Sequence, residues 1–153
     1  MQVVISLKAI DDANREAVEA LHTTPAQEQF VSPVTDSMIE ATEEPGAHAE
    51  YWAIYDDETP VGFVMIADEV DGPEYIAHYL WKLLIDERYQ GRGYGRATLD
   101  LVVALFRARG VTELWTSAGQ GDGSPLGFYE RYGFTQAGEV VFDDEVLLHL
   151  TFD

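Results

Sequence analysis

The sequence predicts an α/β domain built on a mixed sheet. Three observations carry that expectation. β-rich and helical runs alternate in the order strand, helices, three strands, helix, strand, helix, two strands. One segment, between Gly93 and Gly110, has a clear helical period, with Leu99, Val102, Val103 and Phe106 on a single stripe. The chain has 153 residues, 46% of them apolar, so one domain spanning 1–153 can bury a core without staples.

The elements follow in order. A strand is expected at Val3 to Leu7, then a helix capped by Asp11 or Asp12 with Ala17, Ala20 and Leu21 toward one face. From Thr23 to Pro45 the chain reads as short helices in a loop-rich segment. Ser32-Pro33 breaks it, and Thr35-Asp36-Ser37 can cap Met38 to Thr42. Strands at Tyr51 to Tyr55 and Val61 to Ala67 flank an acidic turn, Asp56 to Pro60, which is a hairpin signal. After Asp71-Gly72-Pro73, the apolar run from Tyr75 to Ile85 reads as a strand buried on both faces. The helix between Gly93 and Gly110 comes next, with Gly110 placed to end it. Val111 to Thr116 is a strand. A short helix through Tyr132 follows, with Ser124 as its cap, Pro125 at its first position and Gly133 as its stop. Strands at Phe134 to Val141 and Val146 to Phe152 close the chain.

Composition narrows the function. With no cysteine there is neither a disulfide nor a thiolate ligand or nucleophile. His22, His48, His78 and His149 are too scattered for a short-spaced metal set. The opening residues carry no basic stretch followed by a long apolar run, and Leu99 to Phe106 is far short of a span. A cytoplasmic protein is therefore expected. Charge is the unusual feature: 28 acidic against 9 basic residues give a formal net charge of −19. A field of that sign repels nucleic acid and anionic membranes and attracts cations. It also fits a salt-adapted surface, since Lys8 and Lys82 are the only lysines. Substrate steering and salt adaptation both stand at this point.

The most informative stretch is Ile85-Asp86-Glu87-Arg88-Tyr89-Gln90-Gly91-Arg92-Gly93-Tyr94-Gly95-Arg96. A buried strand ends, three alternating glycines make a turn, and an amphipathic helix begins at once. Such a turn lets backbone N–H groups face a ligand, and the helix's first turn adds unpaired donors and a positive dipole end. Arg92 and Arg96 concentrate scarce cations there. The ligand expected is a phosphate. A P-loop needs Gly-Lys-Ser/Thr, and no lysine is near; the dinucleotide fingerprint needs Gly or Ala three residues after the second glycine, where Arg96 or Thr98 stands.

Gln90-Gly91-Arg92-Gly93-Tyr94-Gly95 fits a third pattern, Gln/Arg-x-x-Gly-x-Gly/Ala. It resembles the acetyl-CoA signature of the GNAT N-acetyltransferases. Gly127-Phe128-Tyr129-Glu130-Arg131-Tyr132-Gly133-Phe134 resembles the element that closes that domain. Within the family, Trp81 to Gln90 and Gly121 to Phe134 look most like the diamine and spermine/spermidine acetyltransferases. The resemblance implies the GNAT acyl-CoA fold, with a mostly antiparallel sheet of about seven strands flanked by helices. It also implies acetyl-CoA as acyl donor and a small amine as acceptor, and dimers are common among similar proteins.

By the same resemblance, Tyr129 is the general acid for the leaving thiolate. Backbone groups of Leu83, Leu84 and Ile85 hold acetyl and pantetheine, while Gln90 to Arg96 hold the pyrophosphate. Many relatives carry an asparagine before the last helix. Here Gln120-Gly121-Asp122-Gly123-Ser124-Pro125 stands instead, which leaves Ser124 for that contact. The base is open: relatives use a carboxylate on the strand before the loop or a water chain, and this strand offers His78, Tyr79 and Lys82, with Glu87 at its end. Two other functions compete with small-amine acetylation: acetylation of a protein N-terminus or lysine, and an acyl-CoA-binding sensor without turnover.

Overall fold

The computed structural model describes residues 3–153, so Met1 and Gln2 of the expected domain lie outside it. Strands β1 (Ser6–Lys8), β2 (Glu50–Asp56), β3 (Thr59–Asp68), β4 (His78–Ile85), β5 (Glu113–Ala118), β6 (Thr135–Val141) and β7 (Glu145–Thr151) form one sheet. Its order is β1-β2-β3-β4-β5-β7-β6, and only the β4–β5 neighbours are parallel. Both faces are covered, because alternate residues of β3 point to opposite sides. Val64 and Ile66 meet Leu99, Val102 and Phe106 of helix α3 (Tyr94–Ala108) and Tyr129 of helix α4 (Leu126–Tyr132). Phe63 and Met65 meet Val18 of helix α1 (Arg15–Glu19) and Val34 and Met38 of helix α2 (Val34–Glu43). Each fully buried Phe, Leu or Met contributes roughly 1.5–3 kcal/mol, so the β3 sandwich is the main source of stability.

The sheet and α3 stand where the sequence puts them, with local differences. β1 is shorter and later than Val3 to Leu7, because it is an edge strand that pairs only where β2 reaches it, Ser6↔Tyr55 to Lys8↔Ala53. Val3 and Ile5 still pack on the α3-side core. The first helix is led in by Asn14; the Asp11 carboxylate accepts from the N–H groups of Ala13 and Asn14 one turn earlier. α2 begins at Val34 rather than Met38. Pro33, with φ −57°, takes the cap position, and Val34, Ser37 and Met38 form its buried stripe, so the expected cap residues lie inside the helix. β4 begins at His78, because Glu74–Ile76 close a 3₁₀ turn after Pro73.

The feature that makes a site lies between β4 and β5. Met65 pairs with Lys82 and Ile66 with Leu80, which leaves Trp81 as an extra residue on β4. A bulge of this kind bends the strand. Only Tyr79↔Trp115 pairs β4 with β5. The Thr116 hydroxyl adds a bond to the Leu80 carbonyl at 2.9 Å, and beyond it the two strands part. α3 carries the chain across this seam.

Candidate active site

A cleft of about 770 Å³ opens where β4 and β5 diverge. Its walls include Trp81, Lys82 and Leu83 of β4, Thr116 and Ser117 of β5, and Tyr129 of α4. Phe30 and Pro33 from the segment before α2 form another side, with Phe142 and Glu145 from the β6–β7 hairpin opposite. The loop from β5 to α4 is shaped for this junction. A Cβ on Gly123 would lie 2.6 Å from the Ala26 carbonyl oxygen, and one on Gly119 would lie 3.0 Å from the Phe30 ring. Only glycines let the two loops close on each other.

Leu83 borders the cleft, while Leu84 turns its side chain into the α2-side core and Ile85 packs against the α3-side core. The Ile85 carbonyl accepts from Gln90 Nε2 at 2.9 Å. Gln90 also exchanges hydrogen bonds with Gln27, so its side chain ties the strand end to the segment before α2 rather than reaching outward. Asp86, fully buried, anchors the same corner: its carboxylate accepts from the N–H groups of His22 and Arg88 and from Arg88 Nε at 2.8 Å. Burial pushes its pKa up, but the Arg88 guanidinium and the two backbone donors outweigh that and hold it below the usual carboxylate value.

The glycine turn behaves as two parts. Gly91 (φ 76°) and Gly93 (φ 88°) adopt the left-handed conformation, and nothing lies within 4 Å of a Cβ built on Gly91. The surface there is open backbone. The first N–H groups of α3, those of Tyr94, Gly95 and Arg96, have no intrahelical acceptor. Among the described residues neither Arg92 nor Arg96 is in an ion pair; Arg92 stacks over Tyr89 and Arg96 over Tyr132. An anion fits this cradle. Two of these residues have a packing role as well. Gly95 makes room for α4, since its Cβ would meet Phe128 Cζ at 2.9 Å. The Tyr94 ring is buried, and its hydroxyl donates to Asp56. Pro125, not Ser124, holds the cap position of α4; Ser124 Oγ accepts from the Leu126 N–H and donates to the Gly119 carbonyl, so its hydroxyl is used within the loop.

Tyr129 sits at the parting of the strands, 5% exposed, between Phe128 and Phe134. Burial pushes its hydroxyl well above the ordinary tyrosine value, with Thr116 pulling the other way. Two of the four candidate bases lie elsewhere. His78 points to the α3 face against Phe106, its Nδ1 2.8 Å from Asp68 Oδ1, in a network closed by Arg109 and Glu50. Glu87 is exposed on the turn after β4, 4.0 Å from His22. Neither borders the cleft. The residues that do, and that sequence reading passed over, include Ser117 and Glu145. The Tyr79 hydroxyl donates to Ser117 Oγ, which donates to Glu145 Oε1 at 2.9 Å. Lys82 is matched by Glu40 at 2.9 Å and donates to the Ser32 hydroxyl.

Residues 10–134 match the family model described as the acetyltransferase (GNAT) family. The chain is a GNAT acetyltransferase. Spermine/spermidine N(1)-acetyltransferase of Bacillus subtilis strain 168 is 28% identical over 151 residues, covering 94% of this chain and 96% of that protein. The [ribosomal protein bS18]-alanine N-acetyltransferase of Escherichia coli K12 is 33% identical over only 58 residues, 38% of this chain and 39% of that protein. Among solved structures, an acetyltransferase from Thermus thermophilus superimposes with a TM-score of 0.74 at 19% identity, over 99% of this chain and all of that one. The PaiA N-acetyltransferase of Thermoplasma acidophilum, in complex with coenzyme A, gives 0.66 at 11% identity over 97% of this chain and 99% of that one. These likenesses place the seven-stranded sheet and its two helical layers in the GNAT fold. Among the described residues no helix is long and apolar enough to cross a membrane.

Proposed function

We propose that this GNAT enzyme transfers acetyl from acetyl-CoA to a primary amine of a small, multiply cationic acceptor of the diamine or polyamine class, in the cytoplasm. The observation that carries it is the cleft lining. Glu28, Glu44 and Asp144 border the cleft with the rings of Phe30 and Trp81, while the one lysine there is already matched by Glu40. Carboxylates spaced along an aromatic-walled channel suit ammonium groups joined by methylene stems. The full-length likeness to a spermine/spermidine acetyltransferase points the same way.

In this reading acetyl-CoA supplies a thioester ready for direct attack, its pyrophosphate held by Gly91, Gly93 and the first N–H groups of α3. Arg92 and Arg96 supply positive charge at the rim. The free edge of β4 around Leu83 offers backbone partners for the arm of the donor. Tyr129 protonates the departing sulfur. Burial raises the pKa of its hydroxyl, so the proton is present throughout the working range; the leaving thiolate, desolvated in the same place, is raised in parallel.

Thiol release across diamines, polyamines and short peptides with free N-termini tests this, together with Tyr129→Phe. Diamines and polyamines are expected to be the better acceptors. Tyr129→Phe should keep donor affinity and lower kcat on the order of 10²-fold. Preference for the peptides would move the acceptor to protein N-termini, and no thiol release with any amine would make the protein a sensor. Wild-type turnover by the Phe variant would take Tyr129 out of the reaction.

A further inference from the structure

We propose that Glu145 is the terminal acceptor of the proton lost by the amine, reached through Ser117 and Tyr79. This rests on the acetyl-transfer reading above. The three side chains come from three neighbouring strands, β4, β5 and β7, and form one hydrogen-bonded row across the cleft. Tyr79 Oη donates to Ser117 Oγ, and Ser117 Oγ donates to Glu145 Oε1. Both hydroxyl protons therefore point the same way, toward a carboxylate. All three residues border the cleft that Tyr129 also borders.

The row is not needed to fill space. Tyr79 is only 7% exposed and Ser117 is half-buried, and phenylalanine at 79 with alanine at 117 would pack almost as well without the cost of desolvating hydroxyls. A buried tyrosine hydroxyl finds a partner, but here the chain of partners ends on a group that can keep a proton. The neighbouring groups fit a relay rather than a second acid. Burial and the nearby Glu145 charge hold the Tyr79 hydroxyl above the ordinary tyrosine value, with Ser117 opposing. It therefore passes a proton on only while receiving one. Tyr129 of α4 and Tyr75 of the turn before β4 are the other titratable neighbours of Tyr79. Asp144 stands beside Glu145 at the cleft, and Lys82, also there, is held by Glu40.

The proton count closes. The acceptor enters as an ammonium and must lose two protons to become an amide. The first passes to Tyr79 Oη as the Tyr79 proton moves to Ser117 Oγ and the Ser117 proton to Glu145 Oε1. The freed nitrogen lone pair then forms the C–N bond at the thioester carbonyl carbon, and the C–S bond breaks. Tyr129 gives its proton to the sulfur, and the second amine proton makes that loss good. Glu145 returns its proton to water at the open mouth of the cleft. Acid and base thus stand on separate elements, α4 and β7, both bordering the cleft.

The test is thiol release with a diamine from pH 6.5 to 10.5, for the wild type, Glu145→Gln, Ser117→Ala and Tyr79→Phe. Gln keeps an acceptor for Ser117 but cannot take the proton. Glu145→Gln should lower kcat about 10²-fold near pH 7 with the KM for acetyl-CoA unchanged. The deficit should close as the pH nears the amine's own pKa, about 10, where the acceptor arrives neutral. Adding Ser117→Ala to Glu145→Gln should cost nothing further, because both cut one path. A Glu145→Gln variant with wild-type kcat and only a raised amine KM would make Glu145 an ammonium-binding residue and overturn the proposal. So would a deficit that stays flat with pH. If that variant fails to fold, the Tyr79→Phe and Ser117→Ala profiles decide by the same criterion. A wild type that acetylates amines alongside unaffected variants defeats this inference alone. A wild type that releases no thiol with any amine defeats both.

Discussion

At the scale of single residues, the corner after β4 depends on one carboxylate. Asp86 holds the backbone of residue 22 and both ends of Arg88 while fully buried, so the cradle and the segment before α2 are registered through it. Its folded pKa is depressed below that of the unfolded chain. The stabilisation is therefore fully present above the unfolded value, near 4, and is lost as pH falls through the folded one. Asp86→Asn should cost about 1–3 kcal/mol at pH 7, and the gap to wild type should shrink below pH 4 in urea titrations run at a series of pH values. A gap that is constant with pH would mean that shape, not charge, holds the corner. Nothing in the sequence marks Asp86 for this role, since it is one of 28 acidic residues. Glu145 was hidden for the same reason, in a turn that reads as Asp143-Asp144-Glu145. His78 drew attention by its residue type, yet on β4 the alternation of side chains turns it to the α3 face, toward Asp68 and Phe106.

At the scale of elements, legibility followed local physics. α3 and its glycine turn were readable because a helical stripe and left-handed glycines are written in consecutive residues. The parting of β4 from β5 is expected at Leu83 to Ile85 only through the family resemblance, because it depends on the extra residue at Trp81 opposite β3, a relation between strands. The same distinction divides the glycines. Gly91 faces open space, whereas Gly95 faces the Phe128 ring, which packs on Tyr129 at 5.4 Å between centroids. Gly95→Ala should therefore cost about 1–3 kcal/mol by overpacking and also lower kcat, because the displaced ring presses on Tyr129. Gly91→Ala carries only the strain of its positive φ, about 1–3 kcal/mol, and should raise the KM for acetyl-CoA while sparing kcat. Thermal melts with steady-state kinetics on the two variants separate packing from ligand contact. Equal effects on kcat would show that both glycines serve one purpose.

At the scale of the whole molecule, the charge of −19 works against compactness. Simple screening of that self-repulsion is largely complete by roughly 0.15 M salt, where the Debye length is about 8 Å. Thermal melts in KCl are expected to keep rising well past that point, as an acidic, lysine-poor surface adapted to salt requires. Greatest stability in dilute buffer would leave attraction of the cationic acceptor as the purpose of the charge. The architecture has a further consequence for hydrogen exchange. β1 to β4 and β5 to β7 are two half-sheets joined by a single backbone rung at Tyr79↔Trp115, the Thr116–Leu80 bond and the chain through α3. The amides of β4 that face away from β3 beyond that rung have no strand to protect them. On the donor placement proposed above, deuterium uptake along this edge should fall when acetyl-CoA binds, readable without turnover and before any acceptor is known.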